Sequence, residues 1–186
     1  QDEFFFYPAQ FWPHKNHVRI LSALKYLKDT HKYTPQVVFV GSDAQQGQKK
    51  YIENYAKQLG VSNQLKTLGF ISREDLIALY KKAFALLYVT LFGPENLPPL
   101  EAMALGCPVI SSDVPGSEEQ YESYTISFER LNEKDLAEKI LQIKNNTLLR
   151  QSLIEKGFAR AKAYTSTNYI QDMLKLFGEF ETIKQC

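Results

Sequence analysis

The residues best suited to chemistry lie in one stretch between residues 96 and 112, which combines a predicted loop, a short helix and a buried strand. Pro98 and Pro99 suit the first turn of a helix, where a missing N–H costs nothing, and Gly106 suits the position just past its end. The start of such a helix offers free N–H groups and a positive dipole to an anion, most often a phosphate. Glu101 lies one turn into this helix, where its carboxylate can accept hydrogen bonds from hydroxyl groups of the same ligand. The stretch therefore predicts a nucleotide site.

The composition of the chain limits what kind of protein it can be. Its 186 residues and formal net charge of +1 fit one ordinary soluble domain. No cluster of lysine and arginine is longer than a pair, which argues against nucleic-acid binding as the main function. Cys107 and Cys186 are interpreted as free thiols of a reducing compartment, and no apolar run approaches membrane-spanning length. Because a strand-like run at residues 4–7 begins almost at the first residue, we expect a piece of a longer protein.

The elements that must position the nucleotide site alternate between strand and helix. This order predicts an α/β fold, a Rossmann-like three-layer parallel sheet with helices on both faces, which binds ligands at the carboxyl ends of its strands. Residues 1–186 are predicted to form a single domain. Strands are predicted at residues 4–9, 36–40, 65–68, 84–89, from 109 and near 125–128, and helices at 18–28, 49–59, 73–82, from 98, and at 133–144, 148–163 and 168–183.

Several motifs together resemble the C-terminal, donor-binding domain of glycosyltransferase family 4, whose members have the GT-B fold. The resemblance covers nearly the whole chain, and the stretch from residue 92 to 112 is the most specific of its motifs. They are residues 8–17 (PAQFWPHKNH), 38–41 (VFVG), 68–71 (LGFI), 80–83 (YKKA), 92–112 (FGPENLPPLEAMALGCPVISS) and 113–116 (DVPG). The resemblance implies one half of a GT-B fold, a nucleotide sugar in the cleft, and an N-terminal acceptor domain that residues 1–186 do not include.

The resemblance implies that Lys15 binds the diphosphate of the donor and acts in catalysis. Transfer of a sugar from a nucleotide sugar builds negative charge on the departing diphosphate, and a cation aimed at that charge lowers the barrier. The alternative for Lys15 is a solvated lysine at a helix start. The family usually carries an arginine where this chain has Gln10, so the leaving group here receives a neutral amide at that position.

The glutamates of the family motif are only partly present. Glu101 matches the second glutamate, which accepts hydrogen bonds from the ribose in the family; the alternative is a glutamate that only interacts with the helix dipole. The first glutamate, which contacts the donor sugar, falls at Gly93 in this chain. Either Glu95 is re-aimed into that catalytic position by the Gly-Pro path before it, or Glu95 is simply exposed to solvent.

Three residues before and within the predicted helix occupy the segment that approaches the phosphate and the sugar. Asn96 and Leu97 can offer backbone N–H groups to the donor there, whereas Pro98 has none.

The nucleoside is expected at two other strand ends. Gly69, Phe70 and Ile71 match the turn against which the base packs in the family, and the alternative is an ordinary strand end with core aromatics. Gly41 matches a glycine that leaves room for the ligand.

Other chemistries receive little support from the residue types. His14 and His17 have the spacing of one helical face, but no third ligand follows at a suitable distance, so we expect no metal site and no cofactor apart from the nucleotide sugar. Ser111 and Ser112 have no histidine and acid partners in the sequence, which argues against a serine hydrolase.

The resemblance implies a retaining glycosyltransferase that moves a sugar from a nucleotide diphosphate to an acceptor hydroxyl, with the departing phosphate helping to deprotonate the acceptor. It implies bacterial cell-envelope polysaccharide or lipopolysaccharide assembly in the cytoplasm or at the inner membrane surface. The acceptor, a glycan or a lipid-linked glycan, and any membrane contact would engage the missing domain, so we expect the isolated chain to transfer little. The alternatives are a non-catalytic nucleotide-binding module, which Gln10 and Gly93 favour, and a sugar-nucleotide epimerase of the same fold.

Overall fold

The computed structural model describes residues 3–43, 47–93, 97–163 and 166–183 of the chain. They contain a six-stranded parallel sheet with the strand order β3-β2-β1-β4-β5-β6. The strands are β1 (Phe4–Pro8), β2 (Gln36–Val40), β3 (Leu65–Leu68), β4 (Ala85–Tyr88), β5 (Val109–Ser112) and β6 (Ile126–Phe128). This arrangement confirms the predicted α/β class.

Helices connect the strands and cover both faces of the sheet. On one face α1 packs against α2 and α6, and on the other α4 packs against α7, as right-handed crossovers require. The helices are α1 (His17–His31), α2 (Gln48–Gln58), α3 (Arg73–Lys82), α4 (Leu97–Ala104), α5 (Ser117–Gln120), α6 (Glu133–Asn145), α7 (Thr147–Ala163) and α8 (Ser166–Ile183). None of the helices in the described ranges is both long and apolar enough to cross a bilayer.

Apolar strands form the core because both faces of a parallel sheet are covered. Phe5, Phe6 and Tyr7 of β1 are each at most 1% exposed, and every residue of β4 is buried. Phe39 and Phe128 are buried as well. Phe4 and Phe84 are partly buried and pack against this core.

Local signals in the sequence set most helix boundaries. The Ser72 hydroxyl accepts a hydrogen bond from the backbone N–H of Asp75 at 3.0 Å, so Ser72 is the N-cap of α3. Gly106 follows α4 with a φ of +74°, a conformation that glycine adopts without penalty. The four-residue helix α5 was not predicted, because one helical turn is too short to show periodicity.

Cys107, the buried cysteine of the described residues, has a thiol of low reactivity. Cys107 is 2% exposed at the start of the fifth strand, and burial raises the pKa of its thiol to about 12. It is a free thiol, as predicted, whereas Cys186 lies outside the described residues.

Three strands end at the same level on the edge where the site is predicted. Pro8 pairs with Val40, and Val40 pairs with Leu68, so the loops after β1, β2 and β3 leave the sheet side by side. At this edge a Cβ atom on Gly41 would lie 2.2 Å from the carbonyl oxygen of Ala9. The loops after β1 and β2 can therefore approach each other this closely only with glycine at position 41.

We expect Gly41→Ala to lower the free energy of unfolding by about 1–3 kcal/mol, because the added methyl group meets backbone and not a movable side chain. Urea denaturation measures this change. Gly69→Ala is the matched control, since nothing lies within 4 Å of the Cβ that it adds. Equal unfolding free energies for the two variants would contradict the steric argument.

Candidate functional site

The strand order reverses between β1 and β4, and this is where a parallel sheet opens a crevice. The chain leaves β1 towards β2 on one side, and β4 continues to β5 on the other. The loops that follow β1 and β4 therefore diverge, and a ligand can enter between them. The β1–α1 loop and the β4–α4 segment form the centre of the candidate site.

The β1–α1 loop places Lys15 at this reversal. Residues Pro13–Lys15 form a 3₁₀ turn, and the Tyr7 hydroxyl donates a hydrogen bond of 2.8 Å to the carbonyl oxygen of Lys15. Lys15 is half-buried, and this desolvation lowers the pKa of its ammonium group. Among the described residues, no carboxylate lies within ion-pair distance of it. A half-buried cation with no carboxylate partner is suited to an anionic ligand.

The segment after β4 is fastened to the same loop. The backbone N–H of Leu91 donates to the carbonyl oxygen of His14 at 2.8 Å, and the His14 ring stacks on Phe92 with centroids 4.7 Å apart. Desolvation, followed by the charge of Lys15, lowers the pKa of His14. These contacts hold the two sides of the crevice together next to Lys15.

Helix α4 carries Glu101 at the predicted site. Glu101 is exposed, and its Oε2 accepts a hydrogen bond of 2.9 Å from the hydroxyl of the buried Tyr80 on α3. Burial, together with the adjacent carboxylate, raises the pKa of Tyr80 well above its ordinary value. Tyr80 lies in the motif of residues 80–83, but no local signal in the sequence points to this contact.

The start of α4 is only partly described. Leu97 is 55% exposed at the first position of the helix, and Pro98 follows it half-buried. Glu95 and Asn96, predicted to contact the donor, lie outside the described residues.

The turn after β3 presents an aromatic ring to solvent. Phe70 is 91% exposed, Gly69 is exposed, and Ile71 packs partly against the core. The alternative that this turn holds core aromatics is therefore wrong for Phe70, whose ring lies in solvent. Two strand spacings, about 10 Å, separate β3 from β1 at this edge.

The predicted site residues thus fall into three described groups. Lys15 lies beside the β4 segment, Glu101 lies beside Tyr80, and Phe70 projects from the β3 end of the same edge. Gln10 is exposed in the loop that contains Lys15. Gly41 lies between these groups, against the backbone of residue 9.

The side chains considered for other chemistries have structural contacts. Ser111 and Ser112 are buried: the Ser111 hydroxyl pairs with that of Thr125, and the Ser112 hydroxyl donates to the carbonyl oxygen of Thr90 at 2.7 Å. Within the ranges that the structure describes, no three histidine, cysteine or acidic side chains gather as metal ligands.

The buried side chain of His17 packs against the β1–α1 loop from the core side. Its ring stacks on Phe11 with centroids 4.9 Å apart, and it hydrogen-bonds to the backbone of Ala9. It is 2% exposed, and desolvation lowers the pKa of its imidazole to about 3. His17 is therefore a neutral core residue that supports the loop carrying Lys15.

Comparison with known proteins identifies the family. The sequence profile described as "Glycosyl transferases group 1" matches residues 1–160. The chain belongs to this family.

Curated group 1 relatives match only with part of their own length. O-antigen chain mannosyltransferase RfbU of Salmonella typhimurium is 30% identical over 115 residues, which cover 62% of this chain and 31% of that protein. An uncharacterized glycosyltransferase of Methanocaldococcus jannaschii is 34% identical over 89 residues, 48% of this chain and 22% of that protein. A Caenorhabditis elegans GDP-Man:Man(3)GlcNAc(2)-PP-Dol alpha-1,2-mannosyltransferase is 25% identical over 186 residues, 94% of this chain and 37% of that protein.

Solved structures share the fold of this group 1 chain. Anabaena HepE in complex with UDP and glucose superimposes with a TM-score of 0.81 at 19% identity, covering 100% of this chain and 49% of that one. A sucrose-phosphate synthase of Thermosynechococcus elongatus gives a TM-score of 0.82 at 22% identity, covering 98% of this chain and 46% of that one. The chain therefore corresponds to about half of a GT-B fold, as predicted.

We expect the stability of this domain to depend on the charge state of His17. Because its pKa is about 3 in the folded state and near 6.5 when unfolded, the unfolded chain binds the extra proton between these values. The contribution of neutral His17 is complete above pH 6.5 and is lost as the pH falls towards 3, at up to about 1.4 kcal/mol per pH unit. Denaturant unfolding from pH 8 to pH 4 measures this dependence.

His17→Phe keeps an aromatic ring in the stack but removes the titrating group. The unfolding free energy of this variant should fall less steeply than that of the wild type below pH 6.5. Parallel pH profiles for the two proteins would show that His17 titrates normally in the folded state.

Proposed function

We propose that this chain is the donor-binding half of a retaining glycosyltransferase that uses a nucleotide-diphosphate sugar. The observation that carries the proposal is the half-buried Lys15 at the strand-order reversal. It lies beside the segment after β4, which is hydrogen-bonded to the same loop through Leu91 and His14. Group 1 membership and the UDP complex of the similarly folded HepE support a nucleotide sugar as the donor.

The proposed reaction exchanges one bond at the anomeric carbon of the sugar. The bond from that carbon to the diphosphate oxygen breaks, and a bond to the acceptor oxygen forms on the same face of the sugar. The acceptor proton passes to the departing phosphate, so no protein nucleophile is required. Lys15 stabilises the charge that grows on the diphosphate, and its partial burial strengthens that interaction.

The remaining predicted residues each contact a different part of the donor. Glu101 accepts hydrogen bonds from the ribose hydroxyls, and Phe70 packs against the base at the β3 end of the edge. Leu97 offers its backbone N–H to the phosphate or the sugar, and Gln10 adds a neutral hydrogen bond near the diphosphate. In this proposal the site needs no protein-bound metal and no cofactor.

The relatives suggest which donor and acceptor to examine first. Several curated relatives are named as mannosyltransferases, one of them as a GDP-mannose enzyme and two as O-antigen enzymes. We therefore infer a hexosyl donor, with GDP-mannose as the first compound to test, and a glycan or lipid-linked acceptor in envelope polysaccharide synthesis. The acceptor would be held by a second domain in the intact protein, at the cytoplasmic side of the membrane.

A non-catalytic nucleotide-binding module is the second candidate. The neutral, exposed Gln10 in place of the usual arginine favours it, because transition-state charge would then rest mainly on Lys15. Such a module would bind nucleotide without transferring sugar from any donor.

Lys15→Ala should reduce sugar transfer by the intact protein about 100-fold or more, because the diphosphate loses its cation. Transfer is measured with GDP- and UDP-hexoses and a mixture of lipid-linked acceptors. Lys66→Ala, which removes an exposed lysine of β3, is the matched control and should leave transfer unchanged. Undiminished transfer by Lys15→Ala would refute the role of Lys15, and nucleotide binding without transfer in the wild type would favour the non-catalytic module.

Phe70→Ala should weaken the binding of a nucleoside diphosphate about fivefold or more, because a stacking surface for the base is removed. Calorimetry with UDP, GDP, ADP, CDP and dTDP measures the effect and shows which base is preferred. The free energy of unfolding should change by less than about 0.5 kcal/mol, since a ring that is 91% exposed adds little to the core. Unchanged affinity for the preferred nucleotide would exclude Phe70 from the base site.

A further inference from the structure

A hydrogen bond joins helices α3 and α4 at the candidate site. The hydroxyl of Tyr80, near the end of α3, donates to Oε2 of Glu101 on α4 at 2.9 Å. The two partners differ sharply in exposure, because Tyr80 is 1% exposed whereas Glu101 is an exposed residue. The bond therefore ties a surface carboxylate to a group inside the core.

The ring of Tyr80 has a fixed position. It packs edge-on against Phe6 of the central strand β1, with ring centroids 5.1 Å apart and an interplanar angle of 88°. Helical side chains tilt towards the N-terminus of their own helix, and α3 begins at the edge of the sheet where the strands end. The hydroxyl of Tyr80 is thus directed from the core towards the site.

The protonation states determine which of the two groups donates this hydrogen bond. The protonated hydroxyl of Tyr80 is the donor and the Glu101 carboxylate is the acceptor. An ionised carboxylate has about four lone-pair positions, and the tyrosine occupies one of them. The others remain open to ligand hydroxyl groups, which are donors as well.

We propose that Tyr80 is a positioning residue that holds the Glu101 carboxylate in the orientation that accepts the two vicinal hydroxyls of a ribose. This inference rests on the proposed function, which assigns the ribose to Glu101. A free glutamate has three rotatable side-chain bonds, and a ligand that orders it loses affinity. The fixed tyrosine orders the carboxylate when the protein folds, so the ribose meets an acceptor that is already aligned.

The test compares nucleotides with and without ribose hydroxyls in the wild type and in Tyr80→Phe. The variant keeps the ring against Phe6 and removes only the hydroxyl. The probes are UDP and GDP together with their 2′,3′-dideoxy counterparts, and calorimetry gives the four dissociation constants. Tyr33→Phe, which removes the hydroxyl of a half-buried tyrosine packed under Lys144, is the matched control.

We expect Tyr80→Phe to weaken binding of the preferred ribonucleotide about five- to twentyfold and to leave binding of its dideoxy counterpart unchanged. In Glu101→Ala, which already lacks the carboxylate, the further change Tyr80→Phe should have no effect on ribonucleotide affinity. Tyr33→Phe should bind all four probes as the wild type does.

Three results would overturn the inference in different ways. If Tyr80→Phe binds both kinds of nucleotide with the affinity of the wild type, Glu101 binds the ribose without help from Tyr80, and only the positioning role fails. If the wild type itself does not distinguish ribonucleotide from dideoxynucleotide, the assignment of the ribose to Glu101 fails, and the positioning role fails with it. A loss of affinity that is equal for both kinds of nucleotide would show a merely structural hydrogen bond.

Discussion

The candidate site depends on the carbonyl oxygen of His14. It accepts a hydrogen bond of 2.8 Å from the backbone N–H of Leu91. The Thr90 hydroxyl lies 3.3 Å from the same oxygen and donates to the carbonyl oxygen of Phe92 at 2.8 Å. The bond from Leu91 joins the loops that follow β1 and β4, which otherwise diverge at the strand-order reversal. Because Lys15 is the next residue in the chain, its position relative to the β4 segment is set by the same contact. A backbone acceptor suits this task, since no change of side chain at position 14 removes it.

Two buried tyrosines support the two charged residues of the site in the same manner. Tyr7 donates to the backbone of Lys15, and Tyr80 donates to the carboxylate of Glu101. Both phenols donate these hydrogen bonds, and burial raises the pKa of both well above the ordinary value. In each case a rigid core side chain fixes a more exposed group, which keeps its charge available for a ligand. Rigid support of this kind limits the ordering that a ligand must impose on binding.

The strands and most helices could be predicted because their signals are local. The run of residues 37–40 is apolar and buried and ends at Gly41, and the helix start at residues 97–99 is signalled by its prolines. The 3₁₀ turn Pro13–Lys15 and the short helix α5 were missed, since single turns have no periodicity.

The contacts that assemble the site could not be predicted in the same way. Tyr80 and Glu101 are 21 residues apart and meet across two helices, and His14 meets Leu91 across the sheet. The family motifs pointed to Lys15, Phe70 and Glu101 as individual site residues. They gave no indication of the contacts that support these residues. The exposure of Phe70 likewise follows from how the chain leaves β3, which residue type alone does not specify.

The charge distribution at the crevice explains why burial matters here. Lys15 is the one lysine or arginine in residues 9–16 and 89–101, so the proposed diphosphate meets a single full positive charge in these segments. Desolvation lowers the pKa of neighbouring His14, with the charge of Lys15 contributing, so His14 adds little charge at neutral pH. A lone cation stabilises a growing negative charge most effectively where water is partly excluded, because the effective dielectric constant is lower there. The half-buried setting of Lys15, together with the backbone N–H of Leu97 at the start of α4, can therefore offset part of the charge that an arginine in place of Gln10 would supply.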